Sequence, residues 1–235
     1  MKVVVLFLLV ASIVAARGIP VIFDTDIGDD VDDALALALA LQLPELAVKA
    51  VTTAIDRAAL RSRLAFKELG FFGRQDIPIG TGADEPLFDP VRRGRHAQFD
   101  VLTNQDVVPG PGQRAFDLIV RTLLDSPQRT TVVAVGPLTN VALPLKVEPR
   151  IKAKIAHIVL MGGAYYMPQR EYNLYRDRIA SEIVFSSGVP ITAVGLDVTR
   201  RCKLTADDVE RLKKAGHESS KFLARQIDLW GERTQ

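Results

Sequence analysis

The sequence predicts an α/β fold, a single domain with a mainly parallel sheet flanked by helices, on three observations. Short β-branched runs alternate with longer helical patterns from Ile19 onward, as in successive βαβ units. Of the 235 residues, 48% are hydrophobic and 25% charged, enough apolar material for a sizeable core and too little charge bias for disorder. No internal repeat and no domain-splitting linker interrupts the alternation.

The elements follow in order. Residues 20–23 read as a strand and 31–43 as a helix whose Ala/Leu repetition is apolar nearly all round, the pattern of a buried helix. Residues 47–53 read as a strand, 57–69 as a helix, and Ile77-Pro78-Ile79 as a short strand. A helix over 114–124, a strand over 130–135 and a helix over 138–145 come next, then an apolar strand over 155–161 ending in Gly162-Gly163. Residues 178–187 form a helix stopped by Gly188, whose backbone suits a C-cap. Residues 190–194 are the next strand, and 205–216 a helix with Thr205 as N-cap and Asp207-Asp208 in its positive first turn. Residues 83–112, rich in Pro, Gly, Asp and Arg and without a period, read as a long loop. Such loops are often placed at a ligand mouth; plain surface irregularity is the alternative.

Charge and cysteine content exclude several classes. The net charge of +2 comes from 30 basic and 28 acidic residues scattered along the chain, without the basic stripe that a nucleic acid polymer requires. The single Cys202 cannot form an intramolecular disulfide, no Cys/His spacing resembles a zinc site, and Cys202 reads as a small, partly buried side chain. At the N-terminus, Lys2 is followed by an almost wholly apolar run over 3–16 and by Val14-Ala15-Ala16 before Arg17. This is the anatomy of a signal peptide over 1–16, which makes the protein secreted and leaves a domain over 17–235. The run is shorter than the roughly 20 residues of a membrane span, so no stable span is expected; a first buried strand is the alternative.

Composition does not explain the stretch Asp24-Thr25-Asp26-Ile27-Gly28-Asp29-Asp30-Val31-Asp32-Asp33, six aspartates in ten positions directly after a strand. Ligands of parallel α/β sheets bind where strands end and helices begin. A helix N-terminus carries about half a positive charge and cannot offset six converging carboxylates. A divalent cation can, and all-oxygen donors without His or Cys point to Ca²⁺ or Mg²⁺. A turn centred on Gly28 lets Asp26 and Asp33 converge, while Asp29, Asp30 and Asp32 are also readable as solvated loop and N-cap residues. An EF-hand loop starting at Asp24 fails, because Asp29 and Leu35 stand where Gly and Glu are required. A haloacid-dehalogenase-type phosphatase also begins with Asp-x-Asp but continues differently, and a metal-stabilised binding module uses the same ligands without chemistry.

Asp24-Thr25-Asp26-x-Gly followed by Asp-Asp-Ala resembles the fingerprint of the inosine/uridine-preferring nucleoside hydrolases. The resemblance extends through Val51-Thr52-Thr53, Asp76-Ile77-Pro78-Ile79 with Gly82-Ala83, Val135-Gly136-Pro137-Leu138-Thr139-Asn140, Leu160-Met161-Gly162-Gly163, Glu171-Tyr172-Asn173 and Val194-Gly195-Leu196-Asp197-Val198-Thr199, in the family's order. It implies a Rossmann-like sheet and a Ca²⁺-dependent enzyme that cleaves the N-glycosidic bond of a small-molecule ribonucleoside to free base and ribose, in a family that often forms homo-oligomers. The chemistry agrees: cleavage builds oxocarbenium-like charge that carboxylates stabilise, and a metal lowers the pKa of a bound water. Asp26 is assigned as metal ligand and general base.

By resemblance, Asp33 is the second metal carboxylate, Asp32 a ribose-hydroxyl acceptor within reach of the metal, Asp24 a buried orienting carboxylate, and the Thr139 carbonyl a further ligand, with Asn140 in structural support. Glu171 and Asn173, two apart on one extended segment, face the same side and can hold ribose hydroxyls. Met161 contacts the sugar or belongs to the core. His96 matches a histidine that the family places near the nucleoside, or is an exposed loop residue. His157 and His217 read as structural or surface residues.

The chain also departs from the family pattern. Two extra residues between Gly28 and Asp33 leave Asp29, Asp30 and Asp32 as alternatives for the metal contact. Ala54-Ile55-Asp56 stands where a Gly-Asn turn is usual, and Met167-Pro168-Gln169-Arg170 lacks the usual Asn. The resemblance also implies a later His-Asp-Pro motif that supplies a metal carboxylate and a histidine near the leaving base, whereas the sequence ends at Gln235. An incomplete or impaired enzyme and a non-catalytic nucleoside-binding remnant are therefore both expectations. The sequence does not read out base preference.

Overall fold

The computed structural model describes residues 18–88, 96–110 and 112–234; the expected signal peptide lies outside them. Six strands form one sheet: β1 (Ile19–Thr25), β2 (Leu46–Thr53), β3 (Ile79–Thr81), β4 (Thr130–Ala134), β5 (Ile155–Met161) and β6 (Ile191–Val194). Their order is β3-β2-β1-β4-β5-β6, and every pairing is parallel. The chain thus winds outward from β1 in one direction, then returns to place β4 on its other side. This makes β1 and β4 the switch point of a doubly wound sheet, outside whose carboxyl ends ligands bind.

The helices divide accordingly. Helices α1 (Asp32–Gln42), α2 (Ala58–Phe71) and α9 (Glu218–Thr234) cover one face, where Phe23, Leu37, Val51, Leu64, Leu69 and Phe222 share a core. Helices α3 (Ala115–Asp125), α4 (Thr139–Val147) and α6 (Arg178–Phe185) cover the other, packing Ile22, Leu118, Val132, Val141, Ile158 and Val184. Short helices α5 (Tyr172–Arg176) and α7 (Leu196–Thr199) follow β5 and β6, and α8 (Ala206–Lys214) precedes α9. The Thr205 capping box that starts α8 is present, with Asp208 as its reciprocal partner.

Several expectations are corrected. Helix α1 is buried on one face only: Leu37 is inside while Leu39 is 60% exposed, because Leu at every second position of a 3.6-residue turn spreads around the helix. The short strand lies at Ile79–Thr81, two residues later than read, beyond Pro78, which cannot donate to a ladder. Glu171 and Asn173 do not share an extended segment; Glu171 is the N-cap of α5 and Asn173 lies within it. Cys202 is exposed rather than partly buried. Helix α9 is not among the elements read from the sequence. The long loop contains a 3₁₀ turn at Ala97–Val101, and residues 89–95 and 111 lie outside the described residues.

Candidate active site

The carboxyl ends of β1 and β4 bring together two of the motifs singled out in the sequence. Asp24 pairs in register with Ala134 of β4 and Thr52 of β2, so it is fully buried at the centre of the sheet. One of its oxygens accepts hydrogen bonds from the Thr52 hydroxyl and from Asn140 Nδ2, the latter at 2.8 Å, while Oδ2 has no partner among the described residues. Burial pushes this carboxyl up to about 7 against the pull of those two donors. Asn140 also donates to the Thr53 carbonyl at 3.0 Å, tying α4 to β2.

Past β1 the chain turns at Gly28, whose φ of 112° favours a residue without Cβ. Asp26, before that turn, is 7% exposed and packs against Gly136 in the β4–α4 turn; a Cβ at position 136 would stand 2.7 Å from Asp26 Oδ1. Asp33, in the first turn of α1, is equally buried and accepts the Thr25 hydroxyl. Burial pushes Asp26 up to about 7, with Arg61 opposing and Asp29 and Asp32 adding to the rise. Burial also holds Asp33 well above its ordinary value, and the Asp26 charge is the next cause. The two buried carboxylates thus flank the Gly28 turn, one before it and one in the first turn of α1. Asp32 is exposed beside them.

A buried arginine braces this turn. The Arg61 guanidinium, 1% exposed, donates from Nε to the carbonyls of Ile55 and Asp56 at 2.8 and 2.9 Å. Its Nη1 donates to the carbonyls of Asp26 and, at 3.0 Å, Ile27. Ile55, Asp56 and Arg57 all have positive φ, of 24°, 45° and 64°, a strained run for residues with side chains. Arg61 pins that run to the Asp26 turn. Nothing local in the sequence marks Arg61, because the Asp26 and Ile27 carbonyls that it reaches lie 35 and 34 residues away.

His96 is buried, not an exposed loop residue. Its Nδ1 lies 3.1 Å from Asp29 Oδ1 and its Nε2 lies 2.8 Å from Asp56 Oδ2. The Asp29 hydrogen bond, opposed by burial and joined by Asp56, raises its pKa and favours an imidazolium that donates to both. Nearby, Gln98 donates to the carbonyls of Asp29 and Asp30, and Trp230 of α9 donates to Asp30 Oδ1 at 3.0 Å. Of the three alternatives for the extra aspartate, Asp29 and Asp30 are thus engaged by other side chains.

On the other flank, Glu171 accepts the backbone N–H groups of Asn173 at 2.7 Å, Leu174 at 2.9 Å and Gly163 at 3.1 Å. Asn173 Nδ2 donates to the carbonyls of Val135 at 2.8 Å and Met161 at 3.1 Å, and stands 3.4 Å from the Met161 sulfur. Glu171, Asn173 and Met161 thus form one bonded group at the ends of β4 and β5. Tyr172, between the two and half exposed, was not singled out by sequence; burial, with the charges of Asp26 and Asp29, pushes its hydroxyl up to about 12. Thr139, fully buried, is the first residue of α4. His157 bonds Thr192 and His217 is exposed, both apart from this group.

Among the described residues no three His, Cys, Asp or Glu side chains are already gathered as a metal cage. The donors nonetheless fit a hard cation in kind, being oxygen-only, with Asp24, Asp26 and Asp33 buried, Arg61 spent on main-chain carbonyls and Asp24 Oδ2 orphaned.

A doubly wound parallel sheet with buried carboxylates at its switch point defines a class of α/β enzyme acting on a small ligand. The model of the inosine-uridine preferring nucleoside hydrolases matches residues 21–235. The pyrimidine-specific ribonucleoside hydrolases RihA of Citrobacter koseri and Salmonella agona are each 39% identical to this chain, over 91% of it and 72% of their own length. A plant nucleoside hydrolase superposes with a TM-score of 0.79 at 30% identity, over 91% of this chain and 71% of that one. A purine-preferring ribonucleoside hydrolase from Gardnerella vaginalis gives 0.76 at 27%, over 90% and 71%.

The chain belongs to the inosine-uridine preferring nucleoside hydrolase family, whose members are metal-dependent N-glycosyl hydrolases. Among the described residues no helix is long and apolar enough to cross a membrane.

Proposed function

We propose that the chain hydrolyses the N-glycosidic bond of ribonucleosides to free base and ribose, with Ca²⁺ as the cation and Asp26 as the general base. One observation carries this: the Asp26 carboxylate is buried at the β1/β4 switch point, against Gly136, with a second buried carboxylate, Asp33, just beyond the same turn. Asp26, Asp33, Asp32 and the Thr139 carbonyl are the groups that would hold the cation, which supplies, when bound, a water of lowered pKa. Asp26 would take the proton of the water whose oxygen bonds to the anomeric carbon, while the bond to the base breaks and its electron pair leaves with the base, which is protonated from solvent. The surrounding carboxylates stabilise the positive charge that builds on the sugar. Asp24 orients the β1 end through Thr52 and Asn140.

Glu171 and Asn173 present the sugar side. Both are already bonded to backbone, so ribose hydroxyls meet the carboxylate's remaining lone pairs and the Asn173 carbonyl oxygen. Met161 lies beside them, and His96 stands near the nucleoside on the opposite flank. The relatives named pyrimidine-specific make uridine the first substrate to try, with inosine second.

The test is chromatography of the purified protein incubated with uridine and inosine under Ca²⁺, with and without chelator. Chelator-sensitive release of base supports the reading. Ligand-dependent thermal stabilisation without turnover would replace it with a non-catalytic binding protein. Phosphate release from an aryl phosphate would replace it with a phosphohydrolase. We further propose that residues 1–16 direct secretion, tested by assaying the culture medium of cells expressing the chain with and without them. Homo-oligomerisation is tested by light scattering.

A further inference from the structure

Asp177 sits outside every motif read from the sequence, yet it is 1% exposed and its carboxylate is bonded to three separate parts of the fold. Its Oδ1 accepts the Ala180 N–H at 3.0 Å, which caps α6. Its Oδ2 accepts the Thr139 hydroxyl at 2.7 Å and the Leu87 N–H at 2.9 Å. A helix cap needs only one acceptor, which Ser or Asn supplies as well as Asp. The second oxygen is therefore unexplained by capping, and burying a full charge for a cap alone would be costly.

What that oxygen holds is specific. Thr139 opens α4 immediately after the turn whose Gly136 touches Asp26. Leu87 lies in the segment that follows β3. Asp177 itself follows α5, whose Asn173 grips the carbonyls at the ends of β4 and β5. A charge-assisted bond to the Thr139 hydroxyl fixes that residue's main chain without occupying its carbonyl.

We infer that Asp177 is a positioning residue for the cation and sugar sites: through Oδ2 it locks Thr139 and Leu87 to the base of the helix that carries Asn173. This inference rests on the proposed function, since it gives Thr139 a role in holding the cation. It assigns the Thr139 hydroxyl a part separate from that of its carbonyl.

The test combines Thr139→Val, which removes the hydroxyl at nearly constant shape, Thr139→Ser, which restores it, and Asp177→Asn, which keeps a cap acceptor but loses the charge. Calcium affinity of the full chain is measured by titration calorimetry, and kcat and KM for uridine are measured separately. Thr139→Val and Asp177→Asn are each expected to weaken Ca²⁺ binding by about 10-fold or more. Thr139→Ser should stay within about twofold of wild type, and the Thr139→Val/Asp177→Asn double variant should be no worse than the weaker single, because both break one link. Unchanged Ca²⁺ affinity and KM in Thr139→Val, with or without a lower melting temperature, would overturn the inference and leave Asp177 a helix cap. Should Asp177→Asn fail to fold, the Thr139 pair decides. A wild-type chain that binds no Ca²⁺ would defeat the proposed function itself and this inference with it, whereas tight binding by every variant defeats the inference alone.

Discussion

The two faces of the sheet are built differently. The face under α3, α4 and α6 is a conventional apolar core, and two of the buried polar groups beside it, Thr139 and Asp177, are bonded to each other. The face under α1, α2 and α9 is also apolar in the main, but it contains the Arg61 guanidinium, the strained run at 55–57, and two wholly buried polar side chains, Glu68 and Gln226, without partners among the described residues. The strained run and these two unpaired groups thus lie on the side that supports the Asp26 turn, as expected where a site rather than stability sets the sequence.

This contrast can be broken or sharpened by substitution. The largest effect is expected for Arg61→Met, which leaves four buried carbonyls without their donor and should cost more than about 3 kcal/mol in urea unfolding. A cost below about 1 kcal/mol would show that Arg61 does not brace the turn. On the opposite face, Leu118→Ala should cost about 3 kcal/mol through the cavity it leaves while Ca²⁺ affinity stays at the wild-type value. Loss of Ca²⁺ binding in a folded Leu118→Ala protein would erase the distinction between the faces.

Glu68→Met should act in the other direction, stabilising by about 1–2 kcal/mol at neutral pH, because it removes a buried acid with neither oxygen bonded. Burial raises this carboxyl well above its ordinary 4.5. As pH climbs past 4.5 the unfolded chain gives up the Glu68 proton while the folded chain keeps it, so this group's contribution to stability falls across that window and is intact only below it. Comparing urea midpoints at about pH 5 and about pH 8 should therefore show the Met variant gaining more at the higher pH. An equal gain at both would mean that Glu68 is not held neutral. The smallest effect is expected for the exposed Cys202→Ser, with melting temperature and turnover both unchanged.

Local patterns carried much of this architecture into the sequence. Strand β5 matches its reading residue for residue, since a short run rich in Ile, Val and Leu, broken only by His157 and ended by Gly162-Gly163, is too short for a helix. The Thr205 cap is a local signal and was legible for that reason. Helix α9 was not read, although Phe222, Leu223, Ile227 and Leu229 are buried along one side of it, because its charged residues mask the stripe. At the site, Asp24, Asp26 and Asp33 were visible as a cluster whose density composition could not explain. Arg61, Tyr172 and Asp177 were not, because what distinguishes each is a partner far away in sequence: the Asp26 carbonyl, the Asp26 and Asp29 charges and the Thr139 hydroxyl. Cys202 and the α5 cap were misread because solvent exposure and a glutamate in the capping role leave little local trace.

The most direct measurement is the rate of base release from uridine by Asp26→Asn against wild type, as Ca²⁺ is added back to chelator-stripped protein. Wild-type turnover is expected to rise with Ca²⁺ to saturation and the variant to remain about 10²- to 10⁴-fold slower throughout, with its fold intact. A variant as fast as wild type, or wild-type turnover indifferent to the cation, would contradict the proposed function.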